Sequence, residues 1–143
     1  MEMYHPQNTV ALLSLMGFDE LQIREDTYVS FRFCGDVYET ARAKDRVCLG
    51  IRREVYSCEE YEAVMGAGDE MMCTNPDIQC LFSECNCARI RLWVPCADAN
   101  GYESALLGAM DRMDGIRSEF ESRVMRRLFA AAAPVFENIL HKR

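Results

Sequence analysis

The stretch Thr27-Tyr-Val-Ser-Phe-Arg-Phe-Cys-Gly-Asp-Val-Tyr-Glu-Thr-Ala-Arg42 decides the fold. Through Cys34 it alternates, with Val29, Phe31 and Phe33 on one side and Ser30 and Arg32 on the other, the two-residue period of a strand with one buried face. Gly35-Asp36 is a turn signal of the kind that closes hairpins, so Val37 to Arg42 is expected to pair back on the first strand. Lys44-Asp45 makes a second turn. Arg46 to Tyr56 then alternates again, with Val47, Leu49 and Ile51 inward and arginines outward, completing a three-strand antiparallel meander.

Upstream, Pro6 to Gly17 reads as a short amphipathic helix, with proline in its first turn, Val10, Leu13 and Leu12 or Met16 at helical spacing, and glycine at its end. Asp19 to Asp26 reads as a polar connection. Downstream, Ser57-x-x-Glu60 is a capping box that opens a helix with the stripe Tyr61, Val64, Met65, Gly68 and Met72. That helix is expected to stop before Asn75-Pro76, because the residue preceding a proline is pushed out of the α region. Ile78, Cys80 and Phe82, then Ile90, Leu92, Val94 and Cys96, mark two further strands joined by a turn at Glu84 to Cys87. The longest periodic segment runs from about Asn100 to Ala133, with Leu106, Met110, Met113, Phe120, Val124 and Leu128 on one stripe. Pro134 is expected to break or kink it, leaving 134–143 as a short amphipathic tail on a single 1–133 domain. In that tail Val135, Phe136, Ile139 and Leu140 form an apolar patch expected to dock on the sheet or on a second subunit.

The resulting order is α-β-β-β-α-β-β-α, an α+β class with an antiparallel sheet packed by helices. This order, carried by Leu12-Leu13 to Gly17, Tyr28 to Tyr38, Arg46 to Tyr56 and Ala88 to Pro95, resembles the type III secretion chaperone-like fold, particularly its YbjN-type branch. The resemblance spans about residues 6 to 130. It implies a bacterial domain that handles proteins, and it brings no catalytic residues with it.

Composition narrows the function independently. A chain of 143 residues with 50% hydrophobic and 27% charged residues supports one folded core rather than disorder. The net charge of −7 argues against a phosphate-backbone partner, which basic patches bind, so nucleic acid is not expected. No apolar run approaches a membrane span and the opening Met1 to Pro6 does not read as a secretory signal, so a cytoplasmic location is expected. Eight cysteines in such a chain read as free thiols.

Motifs for chemistry do not assemble. Cys73, Cys80, Cys85, Cys87 and Cys96 crowd one stretch but lack the paired knuckles of a zinc site, and His5 and His141 stand at opposite ends. The paired acids Glu59-Glu60 and Asp69-Glu70 read as solvated helix residues, and Gly66-Ala-Gly68 neither follows a strand nor opens a helix. Neither a catalytic site, a metal nor a cofactor is expected. By contrast, Arg32, Arg46, Arg52, Arg89 and Arg91 fall on the polar faces of strands, and Trp93 shares that face, the combination of a binding anchor. The expected function is a non-enzymatic protein-binding module, chaperone-like or adaptor-like, as monomer or homodimer, with Arg32, Arg89, Arg91, Trp93 and Phe136 as its partner-binding residues. The alternative is a metal- or redox-responsive regulator built on the cysteines.

Overall fold

The computed structural model describes residues 3–25, 27–83 and 86–141, with residues 83 and 133–141 described as backbone only. Its elements are α1 (Pro6–Leu15), β1 (Asp19–Arg24), β2 (Tyr28–Phe33), β3 (Asp36–Arg42), β4 (Arg46–Glu54), α2 (Cys58–Thr74), β5 (Ile78–Ser83), β6 (Cys87–Pro95) and α3 (Tyr102–His141). The strands form one six-stranded sheet in the order β1-β2-β3-β4-β6-β5, with every neighbouring pair antiparallel. The α+β class and the meander, helix, hairpin, helix order read from the sequence therefore hold, with one strand added at the edge.

That strand, β1, occupies the stretch read as a polar connection. Its ladder with β2 shifts register between Asp19 and Gln22, and Glu20 has a positive φ of 57°. Such a bulged, charged strand blunts a sheet edge against unwanted pairing. The β2–β3 turn also differs from expectation by one residue. Phe33 pairs with Asp36, so Cys34 and Gly35 turn the corner with φ of 51° and 84°, the positive pair a two-residue hairpin turn requires. The Lys44-Asp45 turn stands where expected, between the pairs that end at Arg42 and begin at Arg46.

Helix ends follow their capping chemistry. Ser57 Oγ accepts from the Glu60 amide at 3.1 Å, half of the expected capping box, while the Glu60 carboxylate takes the Tyr56 amide and the Arg53 guanidinium instead of the Ser57 amide. α2 stops at Thr74, before Pro76. Ahead of α3, Asp98 caps a 3-10 turn that includes Asn100, so the helix itself begins at Tyr102. The Asp98 carboxylate accepts from the Gly101 amide at 2.9 Å, and the turn spans Ala99–Gly101. The helical backbone of α3 continues through Pro134 to His141, and the docking expected of Val135, Phe136, Ile139 and Leu140 lies outside the described side chains.

The core lies between the helices and one face of the sheet. Val29, Phe31, Leu49, Ile90 and Leu92 from the strands meet Leu13, Met71, Leu106, Met113 and Phe120 from the helices, all almost fully buried. The expected stripe of α3 is therefore the observed one. On α2 Val64 and Gly68 of the expected stripe are buried, but Ala63, Ala67 and Met71 join them while Tyr61 and Met65 are exposed. Close approach explains the rotation, since a methyl group at Gly68 would stand 3.1 Å from Cys80 Cβ on β5 and one at Gly66 would collide with the Arg127 guanidinium of α3. Small residues let α2 lie in the angle between sheet and α3. Arg53 of β4 then ties the sheet to both helices by pairing with Glu60 of α2 and, at 2.8 Å, with Glu121 of α3.

Candidate partner-binding face

All three helices contact the strands from the core side. The opposite side of the sheet is left to its own side chains. Residues directly opposite in an antiparallel ladder share a face, which places three rows there. Ser30, Glu39, Gly50, Arg91 and Gln79 form one, Ala41, Cys48 and Trp93 a second, and Arg52, Arg89 and Leu81 a third. Arg89, Arg91 and Trp93, expected to stand together, do so at alternate positions of β6.

The arginines of this face lie across it. Gly50 has ordinary negative φ, so what it supplies is space: a methyl group there would stand 3.3 Å from Arg91 Cγ. The Arg91 stem crosses this gap and its guanidinium stacks over Tyr28 of β2, 4.3 Å from the ring centre, with β3 and β4 between the two strands. Arg89, 8% exposed, reaches the Glu25 carboxylate between β1 and β2 with both terminal nitrogens, one at 2.9 Å. That pair holds the Glu25 carboxyl below the usual carboxylate range. Arg52 approaches the buried Glu39 carboxylate at 3.7 Å and the Cys87 sulfur at 3.4 Å. Arg46 caps the Trp93 ring at 5.2 Å, beside a hollow of about 390 Å³ lined by Pro76, Asp77 and Gln79.

Charge on this face is incompletely compensated. Arg91 pairs with no carboxylate among the described residues, and Arg46 has only the side-on Asp45 at 3.8 Å. The buried Nε atoms of Arg46, Arg89 and Arg91 have no acceptor at hydrogen-bond distance there. Beneath them Cys48 is completely buried, and burial pushes its thiol up to about 12.

Arg32 shares the face but stands apart from the others, on β2, where its Nε pairs with Glu20 at 2.7 Å near the β1 edge. The Phe136 side chain lies outside the described residues. The expected partner-binding set therefore gives one cluster of three, joined by Arg46 and Arg52 as the strand pattern placed them, and its surroundings add Tyr28, Glu25, Glu39 and Gly50. Of these, a glycine inside an otherwise regular strand was the readable signal for close approach.

Other candidate chemistry stays dispersed. His5 Nδ1 accepts from the Gln7 amide at 3.3 Å as the cap of α1. Cys34, Cys58 and Cys73 are exposed, Cys48, Cys87 and Cys96 buried, and Cys80 half-buried, while Cys85 lies outside the described residues. Among the described residues no three histidine, cysteine, aspartate or glutamate side chains stand close enough to hold a metal ion. A larger hollow of about 600 Å³ opens beside Tyr56, Cys58, Tyr61 and Met65, with Glu62 as its one charged side chain among the described residues. It offers apolar surface without convergent donors, so the arginine face is the better-equipped site.

No family model matches the chain, and no curated protein matches it. Its fold is similar to that of an uncharacterized protein from Methanothermobacter thermautotrophicus known from a crystal structure, at a TM-score of 0.52 and 9% identity, over 85% of this chain and 97% of that one. The likeness extends to the fold alone. No described helix is long and apolar enough to cross a membrane.

Proposed function

We propose that this chain is a non-enzymatic binding module, chaperone-like or adaptor-like, that holds a segment of a partner protein across the open face of its sheet around Trp93. One observation carries the reading. A sheet face that merely meets water is served by short polar side chains, whereas this face carries a tryptophan under Arg46, a tyrosine under Arg91, and two further arginines on Glu25 and the buried Glu39. Aromatic rings and arginine at the centre of a surface are the residue types that dominate interface energetics. The type III secretion chaperone-like resemblance belongs to the same proposal, as does a cytoplasmic location, with which the free thiols agree. The cysteine-regulator alternative lacks a cluster among the described residues to support it.

The test is retention of a defined partner from native lysate by the purified chain, compared with Trp93→Ala and with Phe129→Ala on the exposed side of α3. Loss of one reproducible partner with Trp93→Ala alone supports the reading. Equal retention by all three proteins, or retention of none, overturns it.

A further inference from the structure

The geometry points to a partner segment that is acidic, bound as an extended strand whose carboxylates fork onto Arg91 and Arg46. This deepens the reading above and rests on it. Four guanidinium groups, from Arg46, Arg52, Arg89 and Arg91, gather on one face of a chain whose net charge is −7. Against them the described part of the face sets Glu25, Glu39, the peripheral Asp45 and, at the end of β4 opposite Cys87, Glu54, while Asp77 beside Trp93 is engaged by Arg112 at 3.5 Å. The chain itself shows what such a guanidinium accepts. Arg89 is held by a two-pronged carboxylate, Glu25, delivered from between β1 and β2 across the intervening strands. Arg91 presents the same planar group next to it on β6 with no carboxylate among the described residues.

The positions of the guanidinium groups set a spacing. That of Arg91 lies over Tyr28 on β2 and that of Arg46 over Trp93 on β6, with β3 and β4 between them. Neighbouring strands stand about 4.8 Å apart, so the two charges are about 14 Å apart across the sheet, the reach of residues i and i+4 of an extended segment laid across the strands. Nucleic acid fits less well, because base stacking needs free aromatic faces, and the rings of Tyr28 and Trp93 are already capped by Arg91 and Arg46. Glu25 in this account is an internal occupant of part of the same surface, and its removal frees a third guanidinium.

Trp93 is the sole tryptophan, so its fluorescence reports on the face directly. The experiment titrates the full chain with a (Glu-Val)5 peptide, with its (Gln-Val)5 counterpart and with a dT20 oligonucleotide, following Trp93 emission and the anisotropy of fluorescein-labelled probes. The expected result is at least tenfold tighter binding of the Glu peptide than of the Gln peptide, weakening with salt. Arg91→Gln is expected to lower that affinity about tenfold, and Glu25→Gln, which leaves Arg91 in place, to raise it several-fold. Equal affinity for the two peptides, tighter binding of dT20, or unchanged affinity in Glu25→Gln with the native melting temperature overturns the inference. Loss of the lysate partner in Trp93→Ala together with indifference to the Glu peptide would leave the binding module standing and remove only its acidic partner.

Discussion

Gly50→Val tests the arrangement of the open face most sharply, because at that position one side chain must yield to another. The first methyl position would stand 3.3 Å from Arg91 Cγ and 3.4 Å from the Ile90 carbonyl oxygen. An alanine is accommodated when the flexible Arg91 stem gives by a few tenths of an ångström. It also removes the conformational cost of glycine in a strand, about 0.5–1 kcal/mol, so Gly50→Ala is expected to be neutral or slightly stabilising. Valine adds two γ-carbons in the path of the stem and forces Arg91 off Tyr28. Overpacking costs roughly 1–3 kcal/mol and the lost cation–π contact about 0.5–1, against a strand-propensity gain of at most about 1 kcal/mol. The balance is a loss of about 0.5–3 kcal/mol, which for a chain of 143 residues is a fall of about 2–12 °C in melting temperature. Thermal melts of the two variants, with Trp93 emission as a second probe, make the comparison. A Gly50→Val protein as stable as Gly50→Ala would refute the placement of Arg91 across the gap.

Three further outcomes follow from other parts of the fold. Phe120→Ala, at a side chain 1% exposed between α3 and the sheet, is expected to cost about 3–5 kcal/mol in a urea titration. Ser57→Ala removes the acceptor of the Glu60 amide and is expected to cost about 1 kcal/mol by the same assay, with the end of α2 exchanging its amides faster. Cys48 gives an alkaline limit. Its thiol is pushed up to about 12 in the folded chain, against an ordinary value of 9.0, so above that ordinary value the unfolded chain releases a proton that the folded chain keeps. Stability is complete below pH 9 and falls by about 1.4 kcal/mol per pH unit above it until the folded thiol also ionises. Urea midpoints measured from pH 8 to 11 are expected to fall less steeply in Cys48→Ala than in the native protein.

The parts of the fold that were legible are those whose side chains sort cleanly into two environments. β2, β4 and β6 alternate because one face meets the helices and the other carries arginines, and the stripe of α3 repeats because one side of a long helix is buried. β1 was not legible, since only Leu21 is even half-buried and a bulge interrupts the alternation of Leu21 and Ile23. On α2 Val64 and Gly68 were legible but the large residues misled, because there proximity to β5 and α3 selects Ala63 and Ala67 for burial and turns Tyr61 and Met65 outward. At the candidate site the period-two pattern placed Arg89, Arg91 and Trp93 on one face. It said nothing of how far a side chain reaches, so the contacts of Arg91 with Tyr28 and of Arg89 with Glu25, which cross several strands, had no local signal.

On the reading proposed above, the open face of the sheet holds a partner protein. Site-specific photocrosslinking in living cells tests it most directly, with p-benzoylphenylalanine placed at Gln79, exposed beside Arg91 on that face, or at Phe129, exposed on α3. A discrete crosslinked protein is expected from the Gln79 position, lost when Trp93→Ala is added, and none from Phe129. A crosslink from Phe129 alone, or one from Gln79 that survives Trp93→Ala undiminished, would contradict that reading.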